Sequence, residues 1–230
     1  GMGFVHEAID QQSGRRVAVK TFHPHILATE RGRRRCVQEG RLLSKIRHPH
    51  VVEVLDAGEF EGMPFLVMEL LEGHTLEYAL KQSSFLDLPS AISLVVPLAS
   101  ALQCAHDAGL VHRDIKPSNI FLRGGAFASA CLIDFGVAKD DELGDCKTAS
   151  DSMLGTYDYF SPEQTRGARR ATALSDQYAL AVVLYECVVG RRPFGGGTPY
   201  EVMHAIATGR AVPPSRCRPD LPAALDGVVL

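Results

Sequence analysis

Between His112 and Asn119 the chain reads His-Arg-Asp-Ile-Lys-Pro-Ser-Asn, which puts a carboxylate, an ammonium and an amide, Asp114, Lys116 and Asn119, within six positions. A short apolar run follows and leads into Ile133-Asp134-Phe135-Gly136. This spacing constrains the fold, because the apolar flanks must be buried while the polar side chains converge on one cleft. Asn119 and Asp134 are oxygen donors of the kind magnesium takes. The ion is hard and prefers carboxylate and amide oxygens to thiolate or imidazole. A carboxylate, a cation and magnesium ligands are the parts that phosphoryl transfer needs, since that chemistry is mostly positioning plus charge neutralisation.

The bulk properties narrow the alternatives. With 230 residues the chain can bury one substantial core or two small ones. A net charge of -3 gives no support to nucleic-acid binding, which favours a strongly basic face. The longest apolar stretches, 91–102 and 178–189, read as too short or too interrupted to cross a bilayer, the first because of Pro97. No signal peptide is visible, and a cytoplasmic location is expected, with a membrane anchor outside the chain still compatible. The six cysteines are scattered without C-x-x-C spacing, so free thiols are expected rather than zinc or a disulfide framework. His23, His25, His48 and His50 have no third partner in sequence that would make a metal site.

The pattern from His112 to Asn119, followed by Asp134-Phe135-Gly136, is the HRDxxxxN and DFG pair of protein kinases. Over essentially all of its length the chain resembles a eukaryotic-like (Hanks-type) serine/threonine protein kinase domain of the bacterial branch. The resemblance implies an α+β, bilobal fold, with a small antiparallel β-sheet lobe carrying one helix and a larger, mainly helical lobe. The expected divisions are residues 1–68, a linker at 69–73, and residues 74–230. Against the family pattern, the first strand, the start of the glycine-rich loop and the last helices are expected to be missing. The 230 residues as given are therefore expected to transfer phosphate weakly or not at all, unless the native gene supplies the missing parts.

In the first lobe, the resemblance makes Gly1 and Gly3 part of the phosphate-covering loop and sets Val5 over the adenine. A strand at 7–10, a turn at Ser13-Gly14 and a strand at 16–20 follow. Ala18 and Lys20 share one strand face, so adenine can pass the small residue while the amine reaches the α- and β-phosphates. A helix is expected over residues 31–46, with apolar Cys36, Val37, Leu42, Leu43 and Ile46, and Glu39 at the place of the family glutamate that pairs with Lys20. Arg31, Arg33, Arg34 and Arg35 read either as a solvated basic end or as a phosphate receiver. Strands are expected at 51–55 and 65–68 around a turn from Gly58 to Gly62. By resemblance Met68 limits the back of the adenine pocket, the backbone of Glu69 and Leu71 reads adenine, and Phe121 lies against the nucleotide.

In the second lobe a short helix is expected at 75–81 and a long one from Asp87 to Ala108. The long helix has Ile92, Val95, Val96, Ala99, Leu102 and His106 at helical spacing, Gly109 as its stop, and Pro97 as a kink or a sign of a later start. The resemblance makes Asp114 the catalytic carboxylate, Lys116 the cation on the γ-phosphate, and Asn119 and Asp134 the magnesium ligands. His112 is scaffolding, Phe135 completes a stack with Leu43, Val54 and His112, and Arg113 receives a phosphate from the segment 137–154. Thr148, Ser150 and Ser152 are the phosphorylatable residues there. Gly155-Thr156 and Ser161-Pro162-Glu163 fit the serine/threonine rather than the tyrosine type, and Glu163 is expected to lack its late-helix arginine. Asp176, at the start of a buried helix over 175–189, would cap the catalytic-loop backbone. A helix at 200–208, a proline-rich surface wrap over 210–222 and a helix start at 225–230 complete the chain.

The implied cofactors are ATP and Mg2+, and the implied partners are proteins bearing Ser or Thr. No nucleic acid and no membrane segment within the chain are expected, and a dimer for trans-autophosphorylation is compatible. Two competing classes are a pseudokinase that presents a docking surface and a small-molecule phosphotransferase. The presence of Lys20, Asp114 and Asp134 speaks against the first, and the Ser-Pro-Glu segment against the second.

Overall fold

Strand β1 (Gly3–Ile9) turns into β2 (Arg16–Phe22) through Asp10, whose carboxylate accepts from the Gln12 amide at 3.0 Å, and through Gly14 at φ 70°. The structure is a computed structural model that describes residues 3–23, 30–136, 157–167 and 170–230, with the side chains of Arg31 and Arg35 outside that description. Gly1, His25, Thr148, Ser150, Ser152 and Thr156 therefore lie outside the described residues. β1 begins at Gly3 rather than at residue 7, with Gly3 opposite Phe22 and Val5 opposite Lys20.

Strands β3 (Val54–Phe60) and β4 (Met63–Glu69) complete an antiparallel sheet of order β1-β2-β4-β3. The expected turn from Gly58 to Gly62 is shorter than its glycines suggest. It consists of Glu61 and Gly62, both at positive φ as a tight two-residue hairpin requires. Gly58 lies inside β3, opposite Phe65, where a Cβ would come within 2.8 Å of the ring. Helix α1 (Glu30–Leu43) lays Cys36 and Leu43 on the sheet and leaves Leu42 outside. Gly40 lets α1 approach closely, since a Cβ there would sit 2.4 Å from Leu66.

The chain crosses to the second lobe through β5 (Gly73–Thr75), which pairs with β6 (Ile120–Arg123), itself paired with β7 (Ala130–Leu132). The segment before β3 does not join the first sheet, which corrects the expected strand at 51–55. Val51 instead bridges to Leu132, and the Val52 amide donates to the Leu132 carbonyl at 2.9 Å. This stitching holds the two lobes against each other behind the cleft.

Helix α2 (Leu76–Gln82) is capped by the Thr75 hydroxyl. Helix α3 (Leu88–Asp107) is capped by Asp87, which accepts from the Ser90 amide at 2.8 Å, and Pro89 occupies its first turn. It runs unbroken through Pro97. The buried stripe is Ala91, Leu94, Leu98, Ala101, Leu102 and Ala105, whereas Ile92 and Val96 are 49% and 63% exposed. Of the expected stripe, Leu102 is buried and Val95 packs on the core, whereas Ile92, Val96 and Ala99 face outward. Both faces of α3 are apolar, and the close neighbour selects the alanine-rich one. By length and composition α3 could cross a membrane, contrary to the expectation drawn from Pro97, yet its buried stripe forms part of the core.

That neighbour is α4 (Ala173–Val189), buried on most of its surface, with a Thr172–Ser175 capping box and Gly190 at φ 79° ending it. Helix α5 (Pro199–Thr208) packs Val202 and Ile206 with Tyr157 and Phe160 into a smaller cluster. The proline-rich stretch carries a short helix α6 (Pro214–Cys217) and is anchored by Arg218, which donates to the carbonyls of Leu86 and Val188 at 3.2 and 2.7 Å. Helix α7 (Asp226–Val229) closes the described chain. The bilobal α+β architecture expected from the sequence is present.

Candidate active site

The catalytic loop follows α3 and takes its shape from Asp176 at the start of α4. One carboxylate oxygen accepts from the His112 amide at 2.7 Å and lies 2.8 Å from His106 Nε2, and the other accepts from the Arg113 amide at 2.8 Å. Asp176 is 1% exposed, so these contacts replace the water it has lost. They hold Arg113 at φ 65°, a conformation that costs a non-glycine residue about 1–3 kcal/mol.

His112 is fully buried, and burial holds its imidazole below the ordinary value. The ring is therefore neutral near pH 7. Nε2 lies 3.0 Å from the Ile133 carbonyl, Nδ1 accepts from the Asp114 amide at 3.3 Å, and the ring packs on Phe135 with centroids 4.4 Å apart. Leu43, Val54 and Phe135 belong to the same buried core. His112 thus shapes the loop, with both ring nitrogens engaged by backbone groups.

Asp114, Lys116 and Asn119 come together. The Asp114 Oδ2 lies 3.2 Å from Lys116 Nζ and accepts from Asn119 Nδ2 at 3.0 Å, while the same amide nitrogen donates to the Asp114 carbonyl at 2.8 Å. Two backbone bonds bind this loop to the segment carrying Asp134. The Ile133 amide donates to the Asn119 carbonyl at 3.0 Å, and the Gly136 amide to the His112 carbonyl at 2.9 Å. Asp134 sits at φ 57°, and its Oδ1 meets Lys20 Nζ at 2.8 Å, with side chains 37% and 6% exposed. The structure therefore connects all five polar groups, from Lys20 on β2 to Asp134 in the segment after β7.

The donor set suits magnesium. Asn119 spends its amide nitrogen on Asp114, which leaves Oδ1 as an oxygen ligand, and Asp134 keeps its second oxygen beside Lys20. Among the described residues there is no cluster of three His, Cys, Asp or Glu side chains. Two protein oxygens completed by phosphate and water is the usual arrangement for this ion.

Glu39 departs from expectation. Among the described residues no ion pair joins it to Lys20. Its Oε1 lies instead 3.8 Å from Arg113 Nη1, while Lys20 is taken by Asp134. Glu163 Oε1 accepts from Ser175 Oγ at 2.5 Å, a partner twelve residues downstream.

On the nucleotide side, Ala18 lies opposite Met68 in the β2–β4 register, and both are buried. Lys20 lies between Val5 on β1 and Leu66 on β4. Phe121 is half-buried on β6, opposite Thr75 and Cys131, and Leu71 is half-buried in the linker. The Glu69 side chain is fully engaged: Arg123 grips it with two bonds of 2.9 and 2.7 Å, and the Glu53 amide donates to it at 2.8 Å. Sequence reading missed Arg123. Beside Lys116 a cleft of about 400 Å³ opens between α2 and the end of α4, lined by Glu77, Tyr159, Glu186 and Arg192. Tyr159 donates to Glu186 at 2.5 Å, Arg192 pairs with Asp158, and burial pushes the Glu186 carboxyl up. These pairs also have no local sequence signal.

Comparison with known proteins agrees with this geometry. The family described as Protein kinase domain matches residues 1–218. The serine/threonine-protein kinase PknH of Mycobacterium tuberculosis is 37% identical over 232 residues, covering all of this chain and 36% of that protein. PknE of Mycobacterium bovis, also a serine/threonine-protein kinase, is 38% identical over 233 residues, covering all of this chain and 40% of that protein. The chain thus spans well under half the length of these curated relatives. The crystal structure of the Mycobacterium tuberculosis PknI kinase domain superposes with a TM-score of 0.75 at 28% identity, covering 100% of this chain and 81% of that one. A family match over nearly the whole length, joined to a bilobal fold with the Asp114 and Asp134 loops stitched together, means that this chain belongs to the protein kinase domain family.

Proposed function

We propose that the protein transfers the ATP γ-phosphate to Ser or Thr hydroxyls of other proteins. The observation that carries the reading is the convergence of Lys116 and Asn119 on one carboxylate oxygen of Asp114. In this reading Asp114 orients the acceptor hydroxyl and takes its proton, while Lys116 holds the moving phosphoryl group. Lys20 turns from Asp134 to the α- and β-phosphates. Asp134 and Asn119 would hold magnesium, which would supply neutralisation of the phosphate charge. Val5, Ala18, Met68 and Phe121 enclose adenine, whose edge meets the backbone of Glu69 and Leu71. The cleft beside Lys116 gives the acceptor chain a place to lie. Lys116 two positions after Asp114 agrees with the Ser/Thr type, and the named relatives are serine/threonine kinases. The reading puts the domain where ATP and magnesium are, in the cytoplasm, in keeping with five described free thiols.

The test is label transfer from γ-labelled ATP to a generic basic protein, followed by identification of the labelled residue. Label on Ser or Thr is expected. Label on Tyr alone, or on a small molecule alone, overturns the reading. Nucleotide binding without any transfer would leave the pseudokinase alternative.

We further infer that the protein phosphorylates its own segment 137–154, at Thr148 or Ser150. A phosphate there adds up to about two negative charges and suits a bidentate bond to Arg113. It would compete with Glu39 for that guanidinium and release Glu39 toward Lys20. Incubation with ATP and magnesium is expected to add phosphate by intact mass, and a double Thr148→Ala, Ser150→Ala variant is expected to gain less. Unchanged mass in the wild type counts against the inference.

A further inference from the structure

Adenine, in the reading above, is met by backbone atoms at 69 and 71, so affinity depends on how rigidly the linker is held. Both ends of that linker meet one residue. At the start, the Arg123 guanidinium grips both Glu69 oxygens, at 2.9 and 2.7 Å. At the end, Arg123 pairs with Gly73 in the β5–β6 register, and the next amide, Gly124, donates to the Glu72 carbonyl at 2.9 Å. Gly73 is at φ 140°, and a Cβ there would lie 2.0 Å from the Leu122 carbonyl, so the contact admits only glycine.

The Glu69 carboxylate is tied to the segment just before β3 as well. It accepts from the Glu53 amide at 2.8 Å, while the Glu69 amide donates to the Glu53 carbonyl at 3.0 Å. Arg123 also contacts Cys131 Sγ at 3.3 Å. Burial pushes that thiol up to about 11, so it is neutral at pH 7 and Glu69 is the countercharge. Arg123 and Phe121 stand two residues apart on β6 and share a face of the strand. The strand face that carries Phe121 therefore also carries the grip on the linker. The guanidinium keeps this fork although its buried Nε has no hydrogen-bond partner among the described residues.

We propose that Arg123 is a positioning residue for nucleotide binding, closing the linker at Glu69 with its side chain and at Gly73 with its backbone. The proposal rests on the kinase reading. A bidentate fork fixes orientation as well as distance, which a lysine at the same place would not do.

The test compares the intact wild-type protein with Arg123→Lys, Arg123→Met and Glu69→Gln, each checked for folding by thermal melting. KM for ATP and kcat are measured together with ADP affinity by calorimetry, which needs no chemistry. Arg123→Lys is expected to raise KM and the ADP Kd about five- to tenfold, the scale of one charge-assisted hydrogen bond, with kcat within about twofold. The exchanged pair Glu69→Arg, Arg123→Glu is expected to recover part of the ADP affinity. A folded Arg123→Lys variant with unchanged ADP affinity overturns the proposal, as does a fall in kcat at unchanged KM. Should Arg123→Met fail to fold, the lysine variant decides alone. If the wild type binds no ADP and turns over no ATP, the kinase reading itself has failed and takes the proposal with it. If the wild type binds normally and the variants match it, only the clamp is lost.

Discussion

Asp114→Asn is expected to lower phosphoryl transfer about a hundred- to ten-thousandfold, the range supplied by a positioned general base. The substitution keeps the size of the side chain and removes its charge. In the wild type one oxygen, Oδ2, meets both the Lys116 ammonium and the Asn119 amide. An asparagine can satisfy these two donors only by turning its oxygen toward them and its NH2 toward the acceptor hydroxyl. A donor then faces the hydroxyl where an acceptor is needed. The nucleotide side should be little affected, because Lys20, Met68 and Glu69 do not contact Asp114 through any described bond. ADP affinity within about twofold of wild type, with transfer reduced by at least about a hundredfold, is the expected pair of results in calorimetry and label transfer. Transfer within tenfold of wild type would remove Asp114 from the chemistry.

Much of the site was legible because its residues lie close together in sequence. Asp114, Lys116 and Asn119 span one loop, and a loop of that length has few ways to arrange three polar groups between α3 and β6. Alternation puts Ala18 and Lys20 on one strand face, and the kinase resemblance gave that face its role. The role of Asp176 as a cap on the catalytic-loop backbone came from the family resemblance, because an Asp in a first helical turn is ordinary by itself. Contacts between distant elements were not legible. Arg123 and Glu69 are 54 positions apart, and neither differs in sequence from a solvated charge. Glu39 illustrates a harder case. It stands on the predicted helix, yet its ion pair is with Arg113, because two cations and two carboxylates of the cleft can pair in more than one way at similar Coulomb energy. In α3, spacing could not choose between two apolar stripes: Val96 and Leu98 look equally suited to a core, and only the approach of α4 decides that Leu98 is buried and Val96 is not. Gly58 was taken for turn punctuation, whereas its lack of a side chain makes room for the Phe65 ring across the sheet.

Asp176→Ala is expected to destabilise the protein by about 3–5 kcal/mol, the scale set by stranding buried polar groups when their shared carboxylate is removed. Three donors depend on it, the amides of His112 and Arg113 and the ring of His106, and water has little access to a residue 1% exposed. For a domain of this size such a loss lowers Tm by roughly 10 °C. The effect should reach activity beyond what stability explains. The two amide bonds hold Arg113 at its positive φ, and Asp114 follows it directly, so releasing Arg113 lets the catalytic carboxylate drift from Lys116 and Asn119. Asp176→Asn separates the two effects. It keeps one accepting oxygen and nearly the same volume, so it can serve one backbone amide but presents a donor to the other. Its melting point should fall by less than that of Asp176→Ala, while kcat, measured well below either transition, should fall in both variants at little change in ADP affinity. A fully active Asp176→Ala protein with wild-type Tm would mean that the loop holds its shape without this carboxylate. The link from the start of α4 to the chemistry at Asp114 would then have to be abandoned.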